Sequence, residues 1–155
     1  MLLREWAAIK YPGVLLREQL RLGPTAASLP GVTVSPALEA ALRVENWYAD
    51  GLMILPTSIL MIEAKVMAVP AAVGQVLFYK RLASTTPELA PYANLPVIPV
   101  VLYAELDSTV SLFAQQLGCR VEVYTPKWIA DYLTQVQFRR RSSVQGAATA
   151  GVQEG

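Results

Sequence analysis

Two apolar runs, from Val44 to Leu55 and from Ile59 to Val66, are separated only by Pro56-Thr57-Ser58, and this constrains the chain more than any other feature. Both are aliphatic and of strand length, and the break is short enough to join them as an antiparallel hairpin. With Leu55 to Ser58 as the loop, Ile54 faces Ile59. The same register puts Asp50 directly opposite Glu63, with Lys65 two residues on and sharing that face. The other face gathers Ala49, Gly51 and Met53 against Leu60, Ile62 and Ala64, an apolar layer suited to a covering helix. A slip of one residue would send Asp50 to the face opposite Glu63 and Lys65.

Two carboxylates facing each other in an apolar layer repel and are poorly solvated, so they call for a cation or a proton. The chain has no histidine and one cysteine, Cys119. That excludes Ser-His-Asp and Cys-His catalysis, histidine-bound metals, structural zinc and an internal disulfide; Cys119 reads as a small core residue. Oxygen ligands alone favour a hard ion such as Mg²⁺ or Mn²⁺. The competing reading is a salt-bridge cluster of Asp50, Glu63 and Lys65 at a strand end.

At 155 residues, the chain suits one domain, expected over 1–138, followed by a flexible basic, then small and polar tail over 139–155. The apolar share is 54% against 16% charged, which excludes a disordered chain and predicts a sheet buried on both faces or a sizeable subunit contact. The formal charge of +1 advertises no polyanion, so nucleic-acid binding would need a local patch such as Arg139, Arg140 and Arg141. Glu63, Lys65, Pro56 and Pro70 interrupt the most apolar stretch, so no membrane span is expected. Met1 to Ile9 include Arg4 and Glu5 and lack the apolar core of a secretory signal; a cytoplasmic protein is expected.

Residues 2–10 read as a helix stopped by Tyr11-Pro12-Gly13, and Val14 to Leu22 as a strand by its alternation of leucine with charge. Residues 23–35 read as a loop, and Pro36 opens a short helix to Leu42. After the hairpin, Pro70 opens a helix to Ala83 and Val97 to Ala104 form a strand. Ser108 starts a helix that stops at Gly118, Arg120 to Tyr124 are a strand, and Pro126 begins a last helix to Phe138. The fold class is α/β, a mixed sheet covered by helices on both faces.

Asp50, the turn, Ile62-Glu63-Ala64-Lys65, and then Gln75 and Tyr79 on the next helix form a D…ExK…QxxxY series. It resembles the PD-(D/E)XK nuclease superfamily, in particular its RecB-like branch. The resemblance covers residues 1–105 and implies a restriction-endonuclease-like αβββαβ core. Ala49 stands where the family's name has proline, a position often replaced. The resemblance further implies a Mg²⁺-dependent nuclease, with Mn²⁺ able to substitute, acting on DNA. Asp50, Glu63 and the Ala64 backbone carbonyl would bind the metal, Lys65 would orient the attacking water, and Gln75 and Tyr79 would face the site or the DNA backbone. A further ligand from the first helix is Glu5 by position, with Glu18 as its competitor.

Arg17 and Arg21 share one strand face and, with Arg139 to Arg141, are the candidate phosphate contacts. Trp6, Trp47 and Trp128 read as packing residues. The small size suggests a stand-alone phage or prokaryotic nuclease, or a subunit of a DNA-processing assembly, located in host cytoplasm or a virion if phage-encoded. The alternatives are a catalytically silent nuclease-fold protein that binds DNA or serves as a structural subunit, and a homodimeric Holliday-junction resolvase.

Overall fold

The computed structural model describes residues 1–24, 35 and 47–136. The expected helix at 36–42, the expected tail and Arg139 to Arg141 lie outside them. The chain divides into two compact units, Met1–Tyr124 and Thr125–Gly155.

The first unit is a small α/β structure. Its elements are α1 (Leu2–Lys10), β1 (Leu16–Leu22), β2 (Trp47–Leu55), β3 (Ser58–Met67), α2 (Pro70–Leu82), two 3₁₀ turns (Ala83–Thr85, Pro87–Tyr92), β4 (Val97–Glu105), α3 (Ser108–Gln116) and β5 (Arg120–Val123). The strands form one mixed sheet in the order β1-β2-β3-β4-β5. The first three are antiparallel neighbours; β3, β4 and β5 run parallel. In the second unit, residues 129–136 are helical, and the Trp128 and Tyr132 rings meet edge to face at 6.1 Å.

The hairpin keeps the expected register, with Ile54 opposite Ile59 and Gly51 opposite Ile62. Its loop is shorter than expected: Leu55 and Ser58 also pair, which leaves Pro56 and Thr57 as a two-residue turn. Both loops are even in length, so the facing residues are unchanged. Ser58 to Glu63 are all buried, which accounts for the unbroken apolar run in β3: it is central and covered on both faces.

α1 covers one face. Its buried residues Leu2, Leu3, Trp6 and Ala7 form a helical stripe, with Glu5 in the first turn and Lys10 in the last to complement the helix dipole. It comes so close to β2 at Gly51 that a Cβ there would lie 2.7 Å from Leu3 Cδ2. Glycine is the residue that permits this approach.

α2 starts at Pro70, whose missing N–H costs nothing in a first turn, and buries Ala72, Val73, Val76 and Tyr79 on the opposite face. The core on that side also holds Leu22, Ala49, Leu52, Ile59, Met61, Val101 and Tyr103, and α3 adds Val110 and Ala114. α3 is capped by Asp107, whose carboxylate accepts the Val110 amide at 2.9 Å. Buried Thr86 donates to the Leu82 carbonyl and accepts the Gly23 amide, which ties the end of β1 to the end of α2.

Ala49 departs from the expected arrangement, because it lies in the α2-side core whereas Gly51 faces α1. Residues two apart on a regular strand share a face. β2 therefore changes face at Asp50.

Candidate functional site

β2 and β3 pair only as far as Gly51 and Ile62. Beyond that point, β2 stays with β1 through Ala49, Tyr48 and Trp47, and β3 stays with β4 from Glu63 to Met67. The two strands of the hairpin part into a fork, and Asp50 and Glu63 stand where it opens. The Ala64 amide, which a continued ladder would offer to the β2 backbone, donates instead to Asp50 Oδ2 at 2.9 Å. A side-chain carboxylate thus stands in for the missing backbone acceptor.

Glu63 is 2% exposed, the most deeply buried charged residue among the described residues. Its Oε1 accepts from Lys65 Nζ at 2.6 Å, and Lys65 Nζ lies 4.0 Å from Asp50 Oδ2. Glu63 Oε2 is buried without a hydrogen-bond partner. Asp50 could bond to it only if one of the two acids carried a proton, since ionised carboxylates both accept. Burial raises the Glu63 pKa, the bond from Lys65 lowers it, and the charge of Asp50 raises it again; the net direction is upward. Burial pulls the Lys65 ammonium down, but the bond and charge of Glu63 and the charge of Asp50 outweigh it and hold its pKa above the ordinary lysine value. Lys65 is therefore a fixed cation, not a base.

Tyr79 of α2 is buried on the same side of the sheet. Burial, followed by the charges of Glu63 and Asp50, raises its pKa, so the hydroxyl is held neutral. Tyr103, opposite Lys65 in the parallel register, is buried on this side too, and its hydroxyl donates to the Val69 carbonyl at 3.5 Å. The structure thus brings together Asp50, Glu63 and Lys65, with Tyr79 within reach of the charge of the two acids.

It does not bring in the others. Gln75 is exposed, and among the described residues no hydrogen bond joins it to the trio. Four residues overshoot a full helical turn by about 40°, and the stripe of Ala72, Val73, Val76 and Tyr79 places Tyr79 inside and Gln75 at the margin. Glu5 rides on α1, over the other face, where its carboxylate accepts the Tyr124 hydroxyl at 3.3 Å. Glu18 pairs with Arg4 at 2.6 Å. Among the described residues, no group of three or more acidic, histidine or cysteine side chains forms.

The two strand arginines are also separated. Leu16 lies on the α1 side and Leu22 on the α2 side, so β1 changes face between Arg17 and Arg21, and the two do not share one. Arg21 donates to the Pro24 carbonyl. Cys119 is buried and its thiol is raised by burial, as befits a core residue.

An enclosed cleft lies elsewhere. It holds about 280 Å³ between Ile59, Lys80, Ala83, Leu89, Tyr92 and Val97, at the closed end of the hairpin, and contains no acid. The acids lie at an open fork instead, and the chemistry argues for the fork over the cleft. No helix among the described residues is long and apolar enough to cross a membrane. Sequence reasoning missed the left-handed backbone of Gln19 (φ 50°), on β1 opposite Asp50. Glutamine carries no composition signal for that conformation.

Comparison with protein-family models, with curated proteins and with solved structures gave no match.

Proposed function

We propose that this chain is a divalent-metal-dependent nuclease with a restriction-endonuclease-like core, hydrolysing phosphodiester bonds in DNA at the fork between β2 and β3. The observation that carries the reading is the orphaned Oε2 of Glu63, buried next to Asp50 and beside the fixed cation Lys65. A buried carboxylate oxygen without a donor is costly, and a hard cation is the partner that an all-oxygen donor set suits. The element order and the D…ExK…QxxxY series support the same reading.

Asp50 and Glu63 would hold Mg²⁺ or Mn²⁺, with the Ala64 backbone carbonyl as a third donor. When bound, such an ion supplies a water of lowered pKa and an electrophilic contact for the phosphate. The chain's own residues do the rest. Lys65, held protonated, orients the attacking water and offsets charge building at the scissile phosphate. Tyr79, held neutral, offers a hydroxyl donor at the buried edge of the site. An open fork, unlike a closed cleft, gives access to a long polymer.

Two observations favour the second reading, a catalytically silent nuclease-fold subunit. Lys65 already balances one of the two acids, and no third acid joins them among the described residues. Cleavage of linear duplex, single-stranded, flap and four-way-junction DNA in Mg²⁺, Mn²⁺ or EDTA separates the two. The proposal expects metal-dependent cleavage that Asp50→Asn and Lys65→Ala each reduce by at least 100-fold. Cleavage that survives both substitutions moves the site elsewhere, and no cleavage of any substrate favours the silent subunit. Preference for the four-way junction together with a dimer in solution would make it a junction resolvase.

A further inference from the structure

Among the described residues, Gln19 is the one non-glycine residue with a positive φ. It sits on β1 between Glu18, which pairs with Gly51, and Leu20, which pairs with Ala49, yet takes no place in the ladder itself. The residue across from it is Asp50. On the other side of Asp50, the pairing of β2 with β3 has just ended. Asp50 is therefore flanked by a lapse in the sheet on both sides.

Side chains also change face here on both strands. Before Gln19, Leu16 packs against Gly51 on the α1 side; after it, Leu22 belongs to the α2-side core. On β2, Gly51 faces α1, whereas Ala49 joins the α2-side core and the Trp47 ring packs 4.9 Å from Phe78 of α2. A regular strand keeps residues an even number apart on one face. One residue in the left-handed region breaks that alternation in its own strand and disrupts the local ladder. Asp50 lies at the crossover, where its carboxylate points along the sheet to the Ala64 amide.

We infer that Gln19 is a positioning residue: its left-handed backbone, and not its side chain, aims the Asp50 carboxylate across the fork at Ala64 and Glu63. The Gln19 side chain is exposed and makes no hydrogen bond among the described residues. Only glycine adopts this conformation freely; asparagine and aspartate tolerate it, and β-branched residues resist it strongly. A glutamine there is held by its surroundings, and such strain gathers where a site needs a particular geometry. The metal arm of the test rests on the proposed function; the Ala64 arm does not.

Three variants graded by tolerance of positive φ decide the matter: Gln19→Gly, Gln19→Asn and Gln19→Val. Two readouts apply to each, the Ala64 amide resonance in ¹⁵N-alanine-labelled protein without metal, and Mn²⁺ affinity by titration. Gln19→Gly and Gln19→Asn are expected to keep both, and Gln19→Gly to melt above the unaltered chain. Gln19→Val is expected to shift the Ala64 amide and weaken Mn²⁺ binding by about 10- to 100-fold, as loss of a supporting contact does at metal sites. Should Gln19→Val not fold, Gln19→Ala is read in the same way, with a smaller loss. An unmoved Ala64 amide in Gln19→Val overturns the inference. So does an equal loss in Gln19→Gly and Gln19→Asn, which would assign the effect to the glutamine side chain. If the unaltered chain binds no Mn²⁺, the metal reading fails, and the Ala64 resonance still decides for or against Gln19.

Discussion

The two ends of the β2–β3 hairpin are made of the same two strands and behave in opposite ways. At the closed end, Gly51 to Leu55 and Ser58 to Ile62 pair continuously, and helices cover both faces. At the open end, the strands part, a carboxylate replaces a backbone acceptor, and a buried acid oxygen has no donor. The closed end has its polar groups matched and its apolar surface buried, which is what stability requires. The open end leaves polar groups unmatched, which lowers stability and leaves coordination capacity for a ligand.

Substitutions should separate the two ends by magnitude and by dependence on pH. Leu60→Ala at the closed end empties a fully buried position and should cost about 2–5 kcal/mol, read as a fall in urea midpoint at unchanged slope. An equally stable variant would mean that the closed end is not the core. Gly51→Ala forces Leu3 to give way and should cost about 1–3 kcal/mol; because the clash is with α1, Leu3→Ala should recover part of that loss, which a double-mutant cycle measures.

At the open end, Glu63→Gln removes a buried charge but leaves Lys65 without its partner. Its melting temperature should rise relative to that of the unaltered, metal-free chain as pH goes from acid to neutral. Burial raises the Glu63 pKa in the folded chain, so folding takes up a proton at this group. Its contribution is fully present below the ordinary value of 4.5 and is lost as pH rises through the folded-state value. The difference should therefore be least favourable to Glu63→Gln in acid. Saturating Mg²⁺ or Mn²⁺ should stabilise the unaltered chain, by about 2.7 kcal/mol at a hundredfold excess over Kd, and leave Glu63→Gln unmoved. A melting curve indifferent to metal in both proteins would remove the case for a cation. The smallest effect belongs to Gln75→Ala, within about 0.5 kcal/mol in stability because the residue is exposed. A rise in KM for DNA with kcat and melting unchanged would mark Gln75 as a substrate contact.

The parity of the hairpin was legible because the break at Pro56-Thr57-Ser58 suits a loop of even length, and a one-residue slip would have sent Asp50 to the face opposite Glu63 and Lys65. The Asp50, Glu63 and Lys65 neighbourhood followed from that parity, although the turn proved to be Pro56-Thr57 alone. The helix starts at Pro70 and Ser108 and the strands that begin at Val97 and Arg120 were legible for similarly local reasons, a first-turn proline among them. Glu5 was not legible. The stripe of Leu2, Leu3, Trp6 and Ala7 says which side of α1 is buried but not which face of the sheet it covers.

What the sequence determined by itself is the set of local facts. These are the strand and helix periods, the even register that places two acids and a lysine together, and, from the lack of histidine, a chemistry limited to carboxylate, lysine and tyrosine. What only the tertiary structure decided is where those groups point. The fork beyond Gly51 and Ile62, the change of face at Gln19 and Asp50, and the burial of Glu63 Oε2 depend on how β1, β4 and two helices pull on the hairpin. Periodicity records which residues share a face while a strand stays regular. It carries no record of the place where neighbouring elements make the strand stop being regular, and that is where the candidate site lies.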